Sequence, residues 1–178
     1  MDKHTPEIIC CLTVLGRERP GIVAGITGVL FDLGCNIRDS SMTILAGEFV
    51  MLLIAEMPEK VTCTTLEQAL YDVKRRFDLS ILLKRLSEEE SHYQPSPGTK
   101  NWAVTIYGCD CRGILHHVAS LLARKGISIA ELKTRVLVRE GAIIISMKVS
   151  APPGLELAAI REQLNEVAAR FSVEVSIG

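Results

Sequence analysis

Apolar and polar positions along this chain change period in a fixed order, and the order occurs twice. Residues 7–15 form an apolar run of strand length. Gly16-Arg17-Glu18-Arg19 breaks the run, and from Pro20-Gly21 the apolar residues Ile22, Ile26, Val29, Leu30 and Leu33 recur at helical spacing. Proline fits a first helical turn, where the N–H it lacks would have no intrahelical partner. Gly34 stands where a left-handed cap would end the helix. Residues 36–45 and 48–57 read as a hairpin about Ala46-Gly47. Thr64 or Thr65 offers a cap for a second helix with Leu66, Ala69, Leu70, Val73 and Phe77 facing inward. Residues 80–86 supply a last strand, so the predicted order is βαββαβ.

The second half repeats this order: strand 102–107, loop 109–112, helix 113–125, hairpin 127–139 with 142–149, helix 155–171 and strand 173–177. Gly21 and Gly113, Gly34 and Gly126, and Ile37 and Ile129 are all 92 residues apart, a period that means two copies of a small domain rather than a solenoid. Phe77 and Phe171 are 94 apart, which places a two-residue insertion at Arg139-Glu140. Residues 87–100 are polar and turn-rich, with Pro95, Pro97 and Gly98, and read as a linker spanning roughly 20 Å as a flexible coil. The predicted domains are 1–86 and 101–178. Each is α+β and ferredoxin-like, an antiparallel four-stranded sheet with helices on one face. In the first copy the strands expected at the sheet centre are apolar on both faces. The helices cover only one, so the other is expected to be an association surface, as in a homo-oligomer.

The charge balance narrows the function. Twenty basic against 21 acidic residues give a net charge of −1, without the basic excess of a direct nucleic-acid binder. No apolar run approaches the ~20 residues of a membrane span, and the N-terminus lacks the apolar core of a signal peptide. A cytoplasmic protein follows as the expectation, with its six cysteines as free thiols.

The glycine-opened helices carry the candidate chemistry. A helix N-terminus presents unpaired N–H groups and partial positive charge to a carboxylate or phosphate. Gly21 and Gly113, without a Cβ, allow close approach. Each loop pairs an acid with an arginine, Glu18 with Arg19 and Asp110 with Arg112, which suits a zwitterion. The competing reading is that the glycines merely start helices and the acids cap them. Asn36 offers a carbonyl to an ammonium group and an NH₂ to a carboxylate; it also serves as an ordinary polar residue beyond a helix cap.

The run Gly16-Arg17-Glu18-Arg19-Pro20-Gly21-Ile22-Val23, followed by Gly34-Cys35-Asn36-Ile37, resembles the ACT domain, an amino-acid-sensing module of metabolic regulators. The resemblance is strong over residues 7–86 and looser over 102–177. Two such domains and no other look most like the glycine cleavage system transcriptional repressor family. The resemblance implies a small amino acid, glycine or similar, bound between ACT units. The first loop and helix start, Glu18, Arg19, Pro20, Gly21 and Ile22, would face Cys35, Asn36 and Ile37 of a neighbouring unit. The corresponding second-copy positions are Asp110, Arg112, Gly113, Ile114 and Ser128.

The second copy departs from this pattern, with Arg112 for the proline and Ser128 for the asparagine. One good site completed by a weaker twin is therefore expected. Cys109, Cys111, His116 and His117 cluster in sequence, but C-x-C-x₄-H-H is no recognised metal signature, and adjacent helical histidines diverge by about 100°. No nucleophile with an oriented base is evident, so a non-enzyme without cofactor is expected, acting through a protein partner such as a transcription regulator. The alternatives are a regulatory subunit of an amino-acid biosynthetic enzyme and a Cys/His metal or redox sensor.

Overall fold

A computed structural model describes residues 8–91, 97–109, 111–137 and 141–178. The chain divides into two compact units, residues 1–93 and 94–178. Unit 1 runs β1 (Ile8–Arg17), α1 (Ile22–Asp32), β2 (Asn36–Leu45), β3 (Glu48–Met57), α2 (Cys63–Ala69), α3 (Tyr71–Phe77) and β4 (Ser80–Arg85). A short α4 (Glu88–Ser91) follows it. Unit 2 runs β5 (Lys100–Cys109), α5 (Ile114–Arg124), β6 (Ser128–Leu137), β7 (Ala142–Ala151), α6 (Leu157–Phe171) and β8 (Val173–Ile177). Its predicted insertion at Arg139-Glu140 lies outside the described residues.

The two sheets have the orders β2-β3-β1-β4 and β6-β7-β5-β8, all pairings antiparallel. This is the ferredoxin-like α+β fold read from the sequence, with the first and third strands of each copy central. Strand alternation builds the cores. Cys10, Leu12 and Val14 on β1 are fully buried, as are Val104 and Ile106 on β5. Ile22, Ile26 and Leu30 on α1 pack into the first core, and Ile114, Val118 and Leu122 on α5 into the second. Neither core holds a buried polar or charged side chain among the described residues.

The open faces of the sheets differ. In unit 1 Thr13 pairs with Leu52 on one side and Leu82 on the other, and those leucines are 47% and 67% exposed. In unit 2 the corresponding Thr105 pairs with Ser146 and Ser176. The doubly apolar strands of the first copy thus leave an apolar outer face on unit 1.

Several local expectations are corrected. Pro20 precedes the first helix rather than opening it: α1 begins at Ile22 and Gly21 is its N-cap. The second helix of unit 1 is two helices, α2 and α3, meeting at Leu70, and its cap is Thr62, whose side chain accepts from the Thr65 N–H at 3.1 Å. The predicted linker opens with a helical turn. The Ser87 Oγ accepts from the Glu90 N–H at 3.2 Å while the Glu90 carboxylate accepts from the Ser87 N–H at 2.9 Å, a reciprocal capping box. No helix among the described residues is long and apolar enough to cross a membrane.

Candidate functional site

The β1–α1 loop is fixed at both ends. The Glu18 N–H donates to the Gly47 carbonyl at 2.9 Å, tying the loop to the β2–β3 turn, and the Gly25 N–H donates to the Gly21 carbonyl at 2.8 Å, starting the helix. Gly21 has φ 100° and Gly113 φ 93°, left-handed values that glycine adopts at no steric cost. A Cβ on Gly21 would also lie 3.3 Å from the Phe77 ring. Neither helix has a side-chain cap, so Glu18 does not serve as one; Glu18 is half-buried and the neighbouring Arg19 is exposed.

At its other end α1 closes in a Schellman motif: the Gly34 N–H donates to the Phe31 carbonyl and the Cys35 N–H to the Leu30 carbonyl, at 2.9 and 2.8 Å. This turn delivers Asn36 to the start of edge strand β2, opposite Glu56, with its side chain exposed. Ile37 is 39% exposed and a bulge follows it. Beside them the Arg38 guanidinium donates to the Glu56 carboxylate at 2.9 Å.

The candidate residues of unit 1 therefore form two clusters at opposite ends of an 11-residue helix, about 16 Å apart. One unit does not bring Glu18 and Arg19 to Asn36, so a site made of both needs a second unit. Two of the candidates belong to the core instead. Ile22 and Ile114 are 1% and 2% exposed and hold their helices to the sheets. Cys35 packs against the first core, and burial raises its thiol pKa.

In unit 2 Arg112 and Gly113 are exposed in the corresponding turn and Ser128 begins β6 opposite Ser150, while Asp110 lies outside the described residues. Against the expectation of six free thiols, Cys109 and Cys111 are joined in a disulfide, and both sulfurs lie 3.5 Å from the Phe171 carbonyl oxygen. His117 packs on the Phe171 ring with centroids 5.0 Å apart, and His116 is its edge-on neighbour. The described residues hold no group of three or more metal-capable side chains.

The ACT domain family model matches this chain twice, over residues 9–84 and 103–178. The chain belongs to the ACT-domain family. Each match spans one βαββαβ unit, so this is a tandem ACT protein. It is 26% identical over 170 residues to the glycine cleavage system transcriptional repressor of Escherichia coli, covering 93% of this chain and 87% of the relative. Over 82 residues it is 32% identical to a UPF0237 protein of Streptococcus pneumoniae, covering 46% of this chain and 93% of that one. Among solved structures, an unknown protein from Galdieria sulphuraria superposes with a TM-score of 0.78 at 24% identity, over 96% of this chain and 97% of the other. A structure assigned as a glycine cleavage system transcriptional repressor gives 0.75 at 21%, over 98% of each. These matches run over both units of the chain.

Sequence reasoning missed the groove beside Gly21. It lies between α1 and α3, has a volume of about 430 Å³, and is lined by Gly21, Ala24 and Gly25 on one side and Asp72, Val73, Arg76 and Phe77 on the other. The signal was present in the small residues at positions 21, 24, 25 and 28 of a helix without a charge before Asp32.

Proposed function

We propose that this tandem ACT protein is a cytoplasmic, non-enzymatic regulator that binds a small amino acid and passes the signal to a protein partner. The ligand would sit at the β1–α1 loop of unit 1, its carboxylate on the N–H groups that open α1 and Arg19, and its ammonium group near Glu18. Asn36 of a neighbouring ACT unit would complete the contact. The observation that carries this reading is the left-handed Gly21 start, which leaves the first turn of α1 uncapped with the half-buried Glu18 and the exposed Arg19 in the loop before it. A zwitterion matches those groups in sign.

The response is linkage: a ligand held between units favours one arrangement of them, and the partner binds that arrangement with altered affinity. The net charge of −1 supports a protein partner, such as a DNA-binding regulator, over DNA itself. The relative named as a transcriptional repressor supports the same direction. Calorimetric titration of the full chain with each of the twenty amino acids tests the proposal. Saturable heat with at least one, lost in Arg19→Ala, is expected; no heat with any of them overturns it.

A second reading rests on the Cys109–Cys111 bond, which sits in the unit 2 loop equivalent to the unit 1 site. It makes the protein a thiol redox sensor. Partner binding that responds to a dithiol reductant but to no amino acid would favour it.

A further inference from the structure

The Cys109–Cys111 disulfide is not needed to close the fold of unit 2. At the 92-residue offset Arg17 and Arg19 stand in its place in unit 1, where the same strand-to-helix turn forms without a cross-link. The bond closes a loop of only three residues, the length at which a cross-link removes least freedom from the unfolded chain. Unit 2 also has its own apolar core, which includes Trp102, Ile106, Leu164 and Ile177. A structural staple is therefore a poor account of this bond.

Its two sulfurs differ in the way that an exchange reaction uses. Cys109 ends β5 and is exposed, whereas Cys111 is half-buried in the turn that opens α5. The Cys111 carbonyl accepts from the Ile114 N–H at 3.5 Å, two residues before an uncapped helix start, and the exposed Arg112 follows it in the chain. Positive charge of this kind favours a thiolate and makes Cys111 the better leaving group. The Phe171 carbonyl, 3.5 Å from both sulfurs, closes α6, where the last carbonyls lack helical partners. Once the bond is open, either thiol has an acceptor in place.

We propose that Cys109–Cys111 is a thiol–disulfide exchange centre whose substrate is a small-molecule thiol. The inference rests on the second reading above and names its chemistry. The small thiolate attacks the exposed Cys109 Sγ. A mixed disulfide to Cys109 forms, the Cys109–Cys111 bond breaks, and the electron pair leaves on the Cys111 Sγ as a thiolate. A second small thiolate attacks the small-molecule sulfur of the mixed disulfide, giving the small-molecule disulfide and releasing the Cys109 thiolate. Two small thiols are oxidised, one protein disulfide is reduced, and the two protons the small thiols give up end on the cysteines. In reverse, the small-molecule disulfide closes the bond again.

Equilibrating the full chain with mixtures of reduced and oxidised glutathione, then acid quenching and mass spectrometry of the tryptic segment 101–112, tests this. Cys10, Cys11, Cys35 and Cys63 fall in other tryptic segments. The segment is expected to pass from disulfide to dithiol as the share of reduced glutathione rises. A disulfide that survives reduced glutathione alone, or one that fails to form in oxidised glutathione alone, would overturn the proposal. The roles of the two sulfurs are read from single variants, with circular dichroism to confirm that each is folded. Oxidised glutathione is expected to form an adduct on Cys109 in Cys111→Ser at least tenfold faster than on Cys111 in Cys109→Ser. Equal rates, or the reverse order, would overturn the assignment of Cys109 as the attacked sulfur. Partner binding enters none of these readouts, so a working exchange centre beside redox-indifferent partner binding would remove the sensor reading alone.

Discussion

The two ACT units share one backbone plan and differ mainly in what they show to their surroundings. At the centre of the open sheet face, Thr13 has leucine on both sides and Thr105 has serine on both sides. On the helical face, α1 is uncharged until Asp32, whereas α5 carries His116, His117 and Arg124. Both cores, by contrast, are apolar and built from the same strand and helix positions. The copies therefore keep what closes the fold and diverge on their outsides. Among the described residues unit 1 exposes more large apolar side chains than unit 2, where Tyr107, Leu132 and Val136 are exposed.

The sharpest way to separate the units is to break one core. Leu12 is fully buried in unit 1, and Leu12→Ala should cost about 2–5 kcal/mol. Hydrogen exchange should then show β1 and β3 amides losing protection while β5 and β7 keep theirs. Loss in both units at once would mean that they unfold together. Next in size come the two left-handed glycines. An alanine there costs roughly 1–2 kcal/mol for the backbone alone. Gly21→Ala should exceed Gly113→Ala, because the added Cβ lies 3.3 Å from Phe77 in the first case and 3.8 Å from His117 in the second. Urea midpoints of the two variants measure the difference.

A smaller contrast lies at the second helices. Thr62 caps α2 through its side chain, whereas the α6 N-cap Glu156 makes no such bond. Thr62→Ala should cost about 1 kcal/mol and Glu156→Ala much less, read from urea midpoints. A last contrast is a pH dependence from a cysteine that unit 2 lacks at the equivalent position. Burial first, and then the neighbouring Cys63, push the Cys10 thiol up to about 12 from 9.0. A raised folded pKa means that the unfolded chain gives up its proton first. The contribution is thus intact below about pH 9 and falls as pH rises towards 12. Trp102 stands at the equivalent position of unit 2 and does not titrate there. Urea midpoints between pH 8 and 10.5 should decline less steeply in Cys10→Ala than in the wild-type protein.

Much of this fold was legible because period and repetition are backbone-level signals. Alternation located β1 and β3, the 92-residue offset located the second unit, and Gly34 marked a helix end that is a Schellman motif. Other features were hidden by signals that fit two structures equally. Proline suits the turn before a helix as well as its first position, so Pro20 was misplaced by its own versatility. The spacing of Leu66, Leu70, Val73 and Phe77 runs unbroken across the α2–α3 junction. Thr62, Thr64 and Thr65 are equally able caps, and the Ser87–Glu90 box lies inside what reads as a charged linker. At the candidate site the residue types were readable, and Ile22 lies on the apolar stripe of α1, which is the role it keeps; the resemblance alone drew Ile22 and Ile114 into the site. One-dimensional order did not show that Glu18 and Asn36 occupy opposite ends of one helix. The α1–α3 groove is made by absent side chains, and hydrophobic patterning does not register those.

Unit 1 is proposed to supply the amino-acid site and unit 2 a weaker counterpart. Parallel calorimetric titrations of Asn36→Ala and Ser128→Ala, with whichever amino acid binds the wild-type protein, measure that asymmetry directly. At least a tenfold loss of affinity is expected for Asn36→Ala and less than a threefold change for Ser128→Ala. Equal losses in the two variants, or wild-type affinity in Asn36→Ala, would contradict it.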